Sequence, residues 1–165
     1  MSERGASKTD RGKHGFSKDS RVRKRREYQD IQARGRRVSS AHFVLILVMR
    51  DTSARASHVC PHPGVTRLGI TASRKVGSAV VRNRMKRLVR HAFVEVRDWF
   101  PNELDVVVVV RSAWPEAKVE DVISEWRSVD RNLRKQIQEA RKLSVNARAS
   151  STQTGGSSRN DKTGP

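Results

Sequence analysis

"KVGSAVVRNRMKRLVRHAF", Lys75 to Phe93, carries two patterns at once. Val81, Met85, Leu88, Val89, Ala92 and Phe93 recur at intervals of three and four, the spacing of one buried helix face, and Val96 and Phe100 continue it. Arg82, Arg84, Lys86, Arg87 and Arg90 fill the turns between them. The spacing predicts a helix from an N-cap at Ser78 to Phe100, stopped by Pro101. At about 100° per residue, Asn83, Lys86, Arg87 and Arg90 lie opposite the apolar stripe, Arg82 borders it and Arg84 flanks the basic face.

What neutralises these cations is not nearby in the chain. From Thr52 to Val94 there is no Asp or Glu, against nine Lys or Arg. A helix start favours acids, and each cation there costs about 0.3–1 kcal/mol. Like-charge neighbours such as Arg82 with Lys86, Lys86 with Arg90 and Arg84 with Arg87 add a few tenths of a kcal/mol each. An external anion would complete the arrangement, and phosphate oxygens suit Arg forks, Lys charges and backbone N–H groups at a helix start. The ordinary alternative is a merely solvated basic face.

The 165 residues have a formal net charge of +18, which points to a polyanion, nucleic acid before an acidic membrane. No apolar run approaches the roughly 20 residues of a membrane span, and the polar N-terminus lacks the apolar centre of a secretory signal. A cytoplasmic protein without a membrane partner is expected. With Cys60 alone there is no internal disulfide.

One domain over residues 19–140 is expected, between a disordered basic arm, 1–18, and a disordered Ser/Thr/Gly-rich tail, 141–165. A first helix is expected from about Asp19 to a stop at Gly35. The continuous apolar runs His42–Met49 and Leu104–Arg111 predict buried strands, and Thr66–Ser73 an alternating one. In that strand Leu68, Ile70 and Ala72 face inward, while Arg67, Gly69, Thr71 and Ser73 form a flat polar face. The stretch from Asp51 to Val65 is expected to be a long hairpin connection. A last helix from near Pro115 turns Val119, Val122, Ile123, Trp126, Val129 and Leu133 inward. The order α-β-β-α-β-α implies an α+β fold with helices over one small sheet.

His58, Cys60 and His62 alternate in the loop but lack the paired ligand sets of a structural zinc site. No carboxylate pair or Ser, His and Asp grouping stands in a catalytic context. Trp99, Trp114 and Trp126 fall at helix apolar positions or starts and are read as core.

Read together, "SRKVGSAVVRNRMKRLVRHAF", the Arg-rich first helix with Tyr28, "RLGITASRK" and "DVVVVVR" make the chain resemble the bacterial ribonuclease P protein subunit family over roughly residues 16 to 135. The resemblance implies a ribosomal-protein-like α+β fold of mixed sheet, with a left-handed β-α-β crossover through the basic helix. It also implies a noncatalytic subunit that binds a catalytic RNA, one to one, and the 5′ leader of precursor tRNA. The holoenzyme would cut the leader's phosphodiester bond with Mg²⁺ held mainly by RNA, and no further protein partner is required. Carried onto this chain, the RNA contacts are Arg74, Lys75, Arg82, Asn83, Arg84, Lys86, Arg87 and Arg90. The leader cleft is Tyr28, Thr71 and Ser73, an aromatic face beside exposed sheet positions. Gln32, one turn after Tyr28, and Ile46 stand where relatives can carry further cleft aromatics. A structural RNA-binding protein of the ribosome would share fold and charge. A helix-turn-helix DNA binder is disfavoured, because strands flank the basic helix.

Overall fold

The computed structural model describes residue 16, residues 18–50 and residues 64–152, and only the backbone of residues 147–152. The expected arm up to residue 15, the loop residues 51–63 with His58, Cys60 and His62, and residues 153–165 lie outside the described residues.

A four-stranded sheet organises the chain, in the order β1-β2-β4-β3, with β1 Arg36–Ser39, β2 Phe43–Met49, β3 Arg67–Ala72 and β4 Leu104–Val110. β2 pairs antiparallel with both β1 and β4, whereas β3 runs parallel to β4, so the sheet is mixed. Parallel neighbours need a crossover, and it is made by α2, Ala79–Glu95. β4 separates β2 from β3. The connection from Asp51 to Val65 is therefore not the hairpin that the spacing suggested.

Both long apolar runs are strands because both of their faces are buried. Leu45, Leu47, Val106 and Val108 enter one apolar cluster, together with Met85, Val89, Ala92 and Phe93 of α2. α3, Val119–Ser128, and α4, Asp130–Thr152, supply Val122, Trp126 and Leu133 to that cluster. Ile46, Val48 and Val107 point the other way, onto Ile31 of α1, Arg25–Arg34. Three helices thus cover one face of the sheet, and a single short helix covers part of the other.

The elements depart from the sequence reading in several places. α1 starts at Arg25 because the residues before it are spent on the free edge of β3: Leu68 donates its N–H to Ser20 O at 2.8 Å, and Val22 donates to Leu68 O at 3.1 Å. Capping the edge strand satisfies backbone groups that a longer helix would leave open. β1 was not anticipated. Its four residues carry one apolar side chain, Val38, and they become a strand by pairing with β2 through a tight turn at Ser40. α2 ends at Glu95, followed by a short 3₁₀ turn, Arg97–Trp99. Finally, the expected last helix is two, broken at Val129 and beginning at Val119, where Asp121 accepts the Lys118 N–H at 2.8 Å. α4 then runs to Thr152, past residue 141 where a tail was expected to begin.

Trp126 is fully buried, Trp114 stacks on His42 with ring centres 4.2 Å apart, and half-buried Trp99 packs against the core. Glu125 of α3 holds the β1–β2 turn, accepting from the His42 backbone N–H at 2.7 Å and contacting Nδ1 at 2.8 Å. No described helix is long and apolar enough to cross a membrane.

Candidate nucleic-acid interface

β3 ends at Ala72, and the chain turns through Arg74–Val76 and Gly77 into the cap of α2. Gly77 has φ 135°, a conformation that side chains with a Cβ rarely adopt. Val76 is buried there, while Arg74 and Lys75 are exposed. Ser78 Oγ accepts the Val81 N–H at 3.4 Å, and the first turn of α2 contains no acid.

The polar residues on the outer side of α2 fall into three rows. Asn83 and Arg87 are exposed on the outer face; Arg82, Lys86 and Arg90 are half-buried along one side of it. Arg84, on the other flank, is tied to the protein itself, its Nη2 donating to Ala117 O at 3.0 Å. Arg82 folds back so that Nη1 donates to Gly77 O at 2.7 Å. Among the described residues, none of Arg74, Lys75, Arg82, Arg84, Lys86, Arg87 and Arg90 forms an ion pair with a carboxylate.

The less covered face of the sheet carries the other group of residues. Because Val38 turns into the main core, Arg37 and Ser39 of β1 point to this second face. The register aligns Arg37, Ile46, Val107 and Gly69 in one row across the strands, and Ser39, Val44, Val109 and Thr71 in the next. α1 crosses the first row. Tyr28 packs against Gly69, where a Cβ would sit 2.8 Å from the ring, and its hydroxyl accepts the Ile70 N–H at 3.1 Å. The second row stays open: Val44, Val109 and Thr71 are half-exposed and Ser39 is exposed. Ser73 is exposed just beyond β3.

Burial pushes the Tyr28 hydroxyl's pKa up, while the Ile70 N–H and the positive charge of Arg90 pull it partly back. α2 packs on β3 from the side of the main core, and Tyr28 packs on Gly69 of the same strand from the other side. The two sets of residues, separate in the sequence, share the edge of β3.

What fixes α1 over the sheet is a buried ion network that the sequence did not reveal. Arg67 donates from Nε and Nη2 to Asp105 at 2.8 and 2.7 Å, and from Nη1 to Glu27 at 2.9 Å; Arg50 Nε lies 3.2 Å from Asp105. Burial opposes the Arg67 charge, but the hydrogen bonds and charges of Asp105 and Glu27 more than offset it and hold the group further on the charged side. Burial likewise pushes Glu27 up. The Arg67 guanidinium and the backbone N–H groups of Lys24 and Arg23 outweigh it, and its pKa lies below the ordinary glutamate value. Two acids 38 and 40 residues from Arg67 give no local signal in the sequence, and only the topology joins them.

Comparison with known proteins places the chain in one family. The family described as Ribonuclease P matches residues 16–134. The ribonuclease P protein component of Syntrophus aciditrophicus is 34% identical over 110 residues, covering 67% of this chain and 83% of that one. That of Desulfovibrio desulfuricans is 39% identical over 101 residues, 61% of this chain and 70% of the relative. Among solved structures, the RNase P protein of Thermotoga maritima superposes with a TM-score of 0.53 at 26% identity, over 66% of this chain and 95% of that one. The Staphylococcus aureus RNase P protein gives 0.55 at 24% identity, over 72% and 97%, and supports the fold. The part of α4 beyond residue 134 lies outside the family match.

Proposed function

Because this chain belongs to the ribonuclease P protein family, we propose that it is the protein subunit of that ribonuclease, binding the RNA subunit through the outer face of α2. The observation that carries the reading is the set of α2 cations without a carboxylate partner among the described residues. Arg82, Lys86, Arg87 and Arg90, with Asn83 and with Arg74 and Lys75 at the helix approach, meet phosphates of a folded RNA. Arg84 divides its donors between Ala117 and that RNA.

Across the open face, the 5′ leader of precursor tRNA passes between Tyr28 and the floor of Thr71, Val109, Val44 and Ser39, with Ser73 at its mouth. An aromatic wall over small side chains suits an unstacked base. The work is done in the cytoplasm, with one protein to one RNA. The chain's own contribution to leader cleavage is to hold the substrate strand and reduce phosphate repulsion. Mg²⁺ is assigned to the RNA, where it would neutralise charge at the scissile phosphate.

Reconstitution tests this. The full chain, its RNA subunit and a precursor tRNA at low Mg²⁺ should give cleavage at the mature 5′ end, with little from the RNA alone. Tyr28→Ala should weaken precursor tRNA by about 1–3 kcal/mol, the value of one base stack, and leave mature tRNA nearly unchanged. Equal losses for both would remove the leader from the open face.

A further inference from the structure

The open face has a ring at one end only. Tyr28 stands over Gly69 on β3, and the other positions along α1 and the first row, Gln32, Ile46 and Val107, contribute none. At the opposite end stands Arg37. It is the cross-strand partner of Ile46 and exposed, on the face that carries Tyr28. Its Nη2 donates to Gln32 O at 2.9 Å. That bond fixes the guanidinium against the last turns of α1 and leaves Nη1 and Nε without a partner among the described residues. Three strand spacings separate the Arg37 and Gly69 positions, about 14 Å.

We propose that Arg37 is a phosphate contact for the single-stranded RNA on this face, a second anchor that holds by charge where Tyr28 holds by stacking. The proposal rests on the leader reading above and adds to it. With one Nη2 hydrogen engaged, the second Nη2 hydrogen still forms a fork with its neighbouring Nε–H or Nη1–H for phosphate oxygens. The division of labour makes leader binding tolerant of base identity at the β1 end and dependent on salt there. Pairing of Arg37 with a carboxylate would defeat this; among the described residues it forms no such pair.

The experiment measures affinity of the reconstituted holoenzyme for precursor and for mature tRNA across a salt series, with wild type, Arg37→Ala, Arg37→Lys and Tyr28→Ala. Arg37→Ala should weaken precursor tRNA about five- to ten-fold at low salt, less at high salt, and leave mature tRNA unchanged. The slope of log affinity against log salt for the precursor should shrink by about 0.7, one phosphate contact on a single strand. Arg37→Lys should keep the wild-type slope. Tyr28→Ala should lose affinity with the slope intact. A wild type that does not distinguish precursor from mature tRNA would overturn the leader reading itself. If wild type discriminates and Arg37→Ala matches it in affinity and slope, the leader stands and Arg37 falls. A folded Arg37→Lys with the slope of Arg37→Ala would likewise overturn the phosphate contact.

Discussion

Arg67 and Arg87 are the same side chain, drawn from the same acid-free stretch of sequence, and they end in opposite circumstances. Arg67 is enclosed between β4 and α1 with two carboxylates at 2.7–2.9 Å. Arg87 stands on the outside of α2 with no acid beside it among the described residues. The fold has matched the cation it buries and left the exposed ones to solvent or a ligand. A surplus of positive charge in a sequence is thus two quantities. One part is structural and internally balanced; the other, sorted to the surface, is available for binding.

The largest expected effect breaks the internal half. Asp105→Asn leaves the guanidinium groups of Arg67 and Arg50 poorly compensated in a buried site, and unfolding in urea should show a loss of about 3–5 kcal/mol. RNA affinity, measured where the variant is folded, should hardly change. If instead the variant keeps its stability and loses RNA, the two regions are not separate.

Arg84 sharpens the division because it belongs to neither side entirely. Its bond to Ala117 O ties α2 to the approach of α3. Arg84→Ala should cost about 1 kcal/mol of stability as well as some RNA affinity, whereas Arg87→Ala should spare stability. Thermal melts of the two variants side by side decide this.

The smallest effect is a pH dependence. Glu27 has a folded pKa below its ordinary value, so its contribution is present above about pH 4.3 and is lost as pH falls through the folded value. Denaturant midpoints should therefore fall less steeply on acidification for Glu27→Gln than for wild type. Identical acid profiles would remove Glu27 from the network's energetics.

Much of this architecture can be read from residue order alone, for physical reasons that also mark where reading stops. α2 is legible because its stripe has the helical period and Ser78 is a competent cap; β2 and β4 are legible because burial on both faces demands continuous apolar runs. β1 is not, since Arg36–Ser39 offers one apolar residue and owes its conformation to its partner. Neither is the start of α1, where Ser20 and Val22 serve the edge of β3, nor the break at Val129, through which the apolar stripe passes without interruption. The same limit holds for the candidate site. The cations of α2 and the ring of Tyr28 are visible as residue types, but their meeting at the β3 edge, the diversion of Arg84 and the exposed fork of Arg37 depend on contacts between distant segments.

The central claim is that the outer face of α2 is electrically complete only with RNA bound. Its most direct test is the affinity of the full-length protein for its RNA subunit across a salt series, for wild type and for Arg82→Ala combined with Arg87→Ala. The account predicts weaker binding at low salt and a slope smaller by about 1.8 if each cation meets a duplex phosphate, with the fold retained and a stability loss of no more than about 1 kcal/mol from the Arg82–Gly77 bond. Unchanged affinity and slope in a folded double variant would contradict it.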